Sequence, residues 1–119
     1  MKYRKLGANG PKISAIGLGC MSFAGFFGPT DDKTSFECLD AAIDMGIDFL
    51  DTADVYGMGK SETVLGSFIK DHPNAFKIAT KCGIVVKPLR GYDNSEAYIR
   101  NALAGSFERL GVDYVDLYY

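Results

Sequence analysis

The stretch Ile47-Asp48-Phe49-Leu50-Asp51-Thr52-Ala53-Asp54-Val55-Tyr56-Gly57 decides the fold. Its first half reads as a short strand, Ile47 to Ala53, and its second half as a loop that carries Tyr56 past the strand end. Ser61 then caps a helix with Val64, Leu65, Phe68 and Ile69 at helical spacing, and Pro73 ends it. The same unit recurs on both sides. Upstream, a strand over Ala15 to Cys20 leads through an apolar, glycine-rich loop, Met21 to Pro29. A helix follows that starts at Thr30 or Asp31, carries Phe36, Leu39, Ala42 and Ile43, and stops at Gly46. Downstream, a strand over Phe76 to Lys81 leads into a loop with Pro88, Gly91 and Asn94. Ser95 caps a third helix with Ile99, Ala102, Leu103, Phe107 and Leu110, Gly111 closes it, and Val112 to Tyr119 forms a last strand.

Strand–helix units in series require right-handed crossovers between parallel strands. Two architectures use them: the open doubly wound sheet and the eight-stranded barrel. Residues 1–119 are expected to form one unit, about half of a barrel of ~250 residues. A hairpin precedes it, with Tyr3 to Leu6 and Lys12 to Ser14 around the turn residues Ala8-Asn9-Gly10-Pro11.

With 47% hydrophobic and 24% charged residues, the chain is globular in composition. A net charge of -2 gives no basic footprint for nucleic acid. No apolar run approaches the ~18 residues of a membrane helix, and no signal-type core follows the first residues. The three cysteines, Cys20, Cys38 and Cys82, lack metal-ligand spacing and read as reduced thiols of a cytoplasmic protein.

Two phosphate motifs are imitated and fail. Gly17-Leu18-Gly19-Cys20-Met21-Ser22 ends in serine where the dinucleotide fingerprint needs a small apolar residue, and no helix opens there to face a pyrophosphate. Gly59-Lys60-Ser61 lacks the earlier glycine of a phosphate loop, since Asp54 stands there. His72, the one histidine, sits between Asp71 and Pro73 at a helix end, away from every strand mouth.

Asp51, Tyr56 and Lys81 remain. Parity turns Asp51 and Lys81 to one face of adjacent strands ~4.8 Å apart, within ion-pair reach, and Tyr56 lies on a loop able to fold over them. An ordinary buried ion pair beside a packed tyrosine is the plain alternative. The chemistry open to the three is specific. A phenol with its usual pKa near 10 is a poor acid at neutral pH. An ammonium ~4 Å away, at an effective dielectric near 20, favours the phenolate by up to about 4 kcal/mol. Two pKa units need about 2.7 kcal/mol. The aspartate keeps the lysine charged against burial. Such a tuned acid suits carbonyl reduction by hydride, in which negative charge grows on oxygen.

The whole chain resembles the aldo-keto reductase family. The resemblance is carried in order by the Leu6-Gly7 hairpin, Gly17-Leu18-Gly19-Cys20-Met21, Asp51-Thr52-Ala53-Asp54-Val55-Tyr56-Gly57, Ser61-Glu62, Thr80-Lys81 and Arg109 to Tyr119. It implies the N-terminal half of a TIM (β/α)8 barrel that takes NADP(H) without a Rossmann fold and reduces aldehydes or ketones to alcohols. It makes Asp51, Tyr56 and Lys81 three of four catalytic residues, with Tyr56 the proton donor and a small-molecule carbonyl as substrate. Gly19, Cys20, Met21 and Asp51 would lie near the nicotinamide. The fourth catalytic residue, a histidine, follows a Tyr-Tyr pair such as Tyr118-Tyr119 by two positions in the family. The main phosphate contacts lie in the second half of the barrel. The loop from Gly83 to Asn94 is long for the family. A non-enzymatic, nucleotide-sensing barrel subunit of the same ancestry is the second reading. A half barrel alone would have open edge strands and an exposed apolar inner face. The sequence is therefore expected to be an inactive fragment, a proteolytic remnant or one partner of a split assembly, whose missing half or another copy covers those edges.

Overall fold

Three strand–helix units follow an N-terminal hairpin in the computed structural model, which describes residues 1–86, 88 and 90–119. The hairpin pairs β1 (Tyr3–Lys5) with β2 (Lys12–Ser14), antiparallel. Strand β3 (Leu18–Gly19) and a 3-10 turn at Met21–Ala24 lead to α1 (Asp32–Asp44). Strand β4 (Phe49–Asp51) leads to α2 (Lys60–Ile69), and β5 (Lys77–Thr80) to a short antiparallel pair, β6 (Ile84–Val85) with β7 (Gly91–Tyr92). Helix α3 (Glu96–Leu110) and β8 (Leu117–Tyr118) complete the order.

The parallel sheet runs β3-β4-β5-β8, so strand order follows chain order without a reversal. All three crossovers then wind the same way, and α1, α2 and α3 cover one face. A doubly wound sheet places helices on both faces, so the winding is that of a barrel. The core lies between that face and the helices, where Leu39, Leu50, Leu65, Phe68, Ile78 and Leu110 pack in one cluster. The other face carries Gly19, Asp51, Ala79 and Leu117 side by side, by register.

Asp51, Lys77 and Lys81 put charge on that second face. The expected exposed apolar inner surface is therefore corrected to a mixed one. The strands are also shorter than expected: Leu18–Gly19 rather than Ala15 to Cys20, and Leu117–Tyr118 rather than Val112 to Tyr119. Each of these is paired on one side among the described residues, so its ladder covers two residue pairs. The β6–β7 hairpin lies in the segment read as loop.

Asp31 and Ser95 cap α1 and α3 through the peptide N–H groups of Thr34 and Tyr98. Ser61 does not cap α2. Met58 and Gly59 both adopt left-handed backbone, and the helix begins at Lys60, with Gly59 as an N-cap lacking a side-chain bond. Its φ of 91° favours glycine at position 59, and a Cβ there, 2.5 Å from Arg109 Cδ, would have to displace the arginine side chain. Ser61 consequently falls inside the first turn and faces the core.

The hairpin is tied to the sheet through Asp48. Its Oδ1 accepts from the Ser14 peptide at 2.6 Å, and its Oδ2 accepts from Lys77 Nζ at 2.8 Å. Burial works to raise this carboxyl, but the bonds from Lys77 and Ser14 outweigh it and hold Asp48 below its ordinary value. A depressed folded-state value means the contribution is present above the ordinary carboxylate range and is lost as pH falls through the folded one. Below about pH 4, acid unfolding is thus expected to draw on this bond. Asp48→Asn should lower stability at neutral pH and flatten the acid limb in a pH-dependent denaturation series. An unchanged acid limb would contradict this role. Among the described residues, no helix is long and apolar enough to cross a membrane.

Candidate active site

Asp51 ends β4 on the face away from the helices, in register with Ala79 of β5. Lys81 lies two residues beyond Ala79 and turns to the same face. Its Nζ donates to Asp51 Oδ1, to the Thr52 carbonyl at 2.8 Å and to the Tyr56 hydroxyl at 3.3 Å. All three predicted catalytic residues therefore meet, with the ammonium between the carboxylate and the phenol. Because the phenolic oxygen accepts from Lys81, its own proton is free for an oxygen on its other side.

The ammonium also lies 4.9 Å from the Tyr56 ring centroid and 5.9 Å from that of Tyr119. Burial pulls the Lys81 pKa down, but the hydrogen bonds and charges of Asp51 and Tyr56 outweigh it and leave Lys81 above its ordinary value. Lysine therefore stays a cation at neutral pH, as the sequence argument requires. With side chains 30% and 37% exposed, Lys81 and Asp51 remain partly open to solvent, which weakens their attraction relative to a dry pair.

Loop geometry places Tyr56. Gly57, at φ 62°, turns the chain so closely that a Cβ there would lie 2.8 Å from Ala24 Cβ. The Tyr56 carbonyl accepts from the Ser61 peptide at 3.2 Å, so the loop closes onto the start of α2. Beside the phenol lies a cavity of about 390 Å³, lined by Met21, Ala24, Phe26, Val55, Gly57, Ile84, Val86 and Arg90 as well as Tyr56. Its walls are mainly apolar. A separate cavity of about 440 Å³ between the β6–β7 hairpin and α3 has Asp54 and Arg109 in its wall but not Tyr56. Burial and the Glu62 charge raise the Asp54 carboxyl there.

The four expected cofactor-side residues divide. Gly19 has open space where a side chain would begin, Met21 borders the Tyr56 cavity, and Asp51 is at the site itself. Cys20 is fully buried, and burial pushes its thiol up to about 12. Its N–H is given to the Asp51 carbonyl, and its own carbonyl accepts from Phe23 and from the Ser61 hydroxyl. No polar group of Cys20 is left to meet a ligand. His72 lies elsewhere, its ring stacked on Phe68 at 4.1 Å.

Sequence reasoning missed Glu62. It is fully buried, accepts from the Thr80 hydroxyl at 2.6 Å and from Arg109 Nε at 2.7 Å, and sits directly behind the site.

The aldo/keto reductase family profile matches residues 15–119. The chain belongs to the aldo/keto reductase family. It is 40% identical over 121 residues to a Bacillus subtilis protein named as an uncharacterized oxidoreductase, with 99% of this chain and 38% of that protein aligned. An aldo-keto reductase of Schizosaccharomyces pombe whose name specifies NADP(+) is 37% identical, over 98% of this chain and 35% of its own length. The holo structure of an aldo-keto reductase from Bacillus halodurans superimposes with a TM-score of 0.87 at 37% identity, covering 99% of this chain and 39% of that one. This aldo/keto reductase chain thus spans about two fifths of the length of the relatives it matches. Its sheet and helices are the N-terminal part of their (β/α)8 barrel.

Proposed function

We propose that the polypeptide carrying this segment reduces aldehydes or ketones to alcohols with NADPH, and that Tyr56 is the proton donor. The observation that carries the reading is the single Lys81 ammonium bonded at once to Asp51 and to the Tyr56 hydroxyl. A carbonyl oxygen seated in the apolar cavity beside Tyr56 would accept the free phenolic proton as charge develops on it. Lys81 then faces a phenolate, and its charge lowers the energy of that state. Asp51 holds the lysine in place and charged.

The residues present fit the nicotinamide end of a cofactor in part: Gly19 leaves open space at the strand end, and Met21 and Asp51 border the site, whereas Cys20 acts only through the backbone it anchors. When bound, the nicotinamide supplies the hydride. The choice of NADPH over NADH rests on the family resemblance and on the name of the yeast relative. Three free thiols suit a reducing cytoplasm.

The test is NADPH oxidation by the full-length protein against a panel of aldehydes and ketones. Carbonyl-dependent loss of NADPH is expected. Tight NADPH binding with no turnover on any carbonyl would contradict the reading and point to a nucleotide-sensing barrel.

A further inference from the structure

The strand ends that bear the site are bonded a second time, on their opposite face. Alternation turns Thr52 and Thr80, the neighbours of Asp51 and Lys81, toward α2. The Thr80 hydroxyl donates to Glu62 Oε1 at 2.6 Å. The Ser61 hydroxyl donates to the Cys20 carbonyl at 2.8 Å. Ser61 has one hydroxyl proton, so in the 2.9 Å contact between the two hydroxyls Thr52 is the donor. The Ser61 peptide N–H holds the Tyr56 carbonyl, and Arg109 of α3 holds Glu62 from behind at 2.7 Å. Ser61, Glu62, Thr52 and Thr80 are all fully buried. Among the described residues, every buried side-chain nitrogen or oxygen has a partner.

We propose that Ser61 and Glu62 are positioning residues for the Asp51–Tyr56–Lys81 site, fixing the ends of β3, β4 and β5 and the Tyr56 loop relative to one another from the start of α2. This rests on the proposed function above. Two adjacent residues on a rigid helical turn reach three strands, and each anchor point is next to a residue of the site or is Tyr56 itself. Ordinary packing of Leu65 or Phe68 holds the sheet on the helix but does not set its strand ends to within a fraction of an ångström. Buried hydrogen bonds between short side chains do, because their length and direction are narrow. The bond from Lys81 to Tyr56 is 3.3 Å long, so a small rise of β5 relative to the loop would break it.

The experiment compares Thr80→Val, Thr80→Ser and Ser61→Ala in the full-length protein, measuring kcat, the KM for NADPH and the unfolding midpoint. Displacement of reacting groups by about 1 Å costs about a hundredfold. Thr80→Val and Ser61→Ala are each expected to lower kcat by about ten- to a hundredfold with little change in the cofactor KM. Thr80→Ser, which keeps the hydroxyl, is expected to recover turnover. Folded variants with lower midpoints but unchanged kcat would overturn the proposal, because the bonds would then serve stability alone. If Thr80→Val does not fold, Ser61→Ala decides by the same readout. Failure of both to fold would make the brace a folding element and also overturn the positioning role. The Tyr56→Phe variant separates the two readings. Normal turnover there refutes the proposed function, whereas loss there with normal Thr80→Val and Ser61→Ala refutes only the positioning.

Discussion

Tyr56→Phe in the full-length protein is expected to lower kcat by about 10²- to 10⁴-fold, the range general acid catalysis contributes. The substitution removes one oxygen and little else. The ring keeps its volume in the loop closed by Gly57, and its face stays near the Lys81 ammonium, now 4.9 Å from the ring centroid. Lys81 retains Asp51 and the Thr52 carbonyl, so no buried charge is stranded. Stability is expected to change by about 1 kcal/mol or less, the usual worth of one hydrogen bond. NADPH affinity is expected to hold, because in the proposed mechanism the hydroxyl meets the carbonyl and not the cofactor. Steady-state kinetics with a melting curve and an NADPH titration check all three. A loss of less than about tenfold would remove Tyr56 from the acid role.

The second large effect concerns stability. Arg109→Met is expected to cost about 3–5 kcal/mol in chemical denaturation, the usual loss when a buried charge is left without its partner. Glu62 is completely buried, and Arg109 provides its only cationic contact among the described residues. Its other bond, from Thr80, comes from a neutral hydroxyl. Such a loss is a large share of the ~5–15 kcal/mol that holds a domain together. Replacing Glu62 by Met in the same chain is expected to return much of it, since an apolar pair of similar size leaves no stranded charge. A single-variant loss under about 1 kcal/mol would mean that Arg109 is not the partner on which Glu62 depends.

The same two residues show where sequence reading stops. Asp51, Tyr56 and Lys81 were legible because strand parity acts over one or two residues, and because the acid, the phenol and the amine have few joint uses. The order of strands and helices was legible for a similar local reason. Ser61 looked local, as a cap, and Glu62 entered as its neighbour in the family motif; the cap placement was wrong. Met58 and Gly59 in left-handed backbone started the helix one residue before it, which no propensity of serine reveals. The true partners of these residues lie far along the chain: Thr80 is 18 positions and Arg109 is 47 positions from Glu62. The seating of α2 on the end of β5 and its packing against α3 bring them together. The β6–β7 hairpin had a visible signal in Ile84-Val85-Val86, a β-branched run, but the nearby proline and glycines drew the reading toward loop. Cys20 belongs to the cofactor-side segment by resemblance alone, and its thiol lies in the core cluster with Phe23 and Leu39, a burial that a strand end flanked by glycine does not announce.

The claim on which the rest depends is that Lys81 acts through the Tyr56 hydroxyl. A double-mutant cycle on hydride transfer tests it, with Tyr56→Phe, Lys81→Met and the two combined measured in single turnovers of the full-length protein at saturating NADPH. Residues that work as one unit lose their effect together, so the combined variant is predicted to be no slower than the worse single one. Losses that multiply would show two independent contributions and contradict the account.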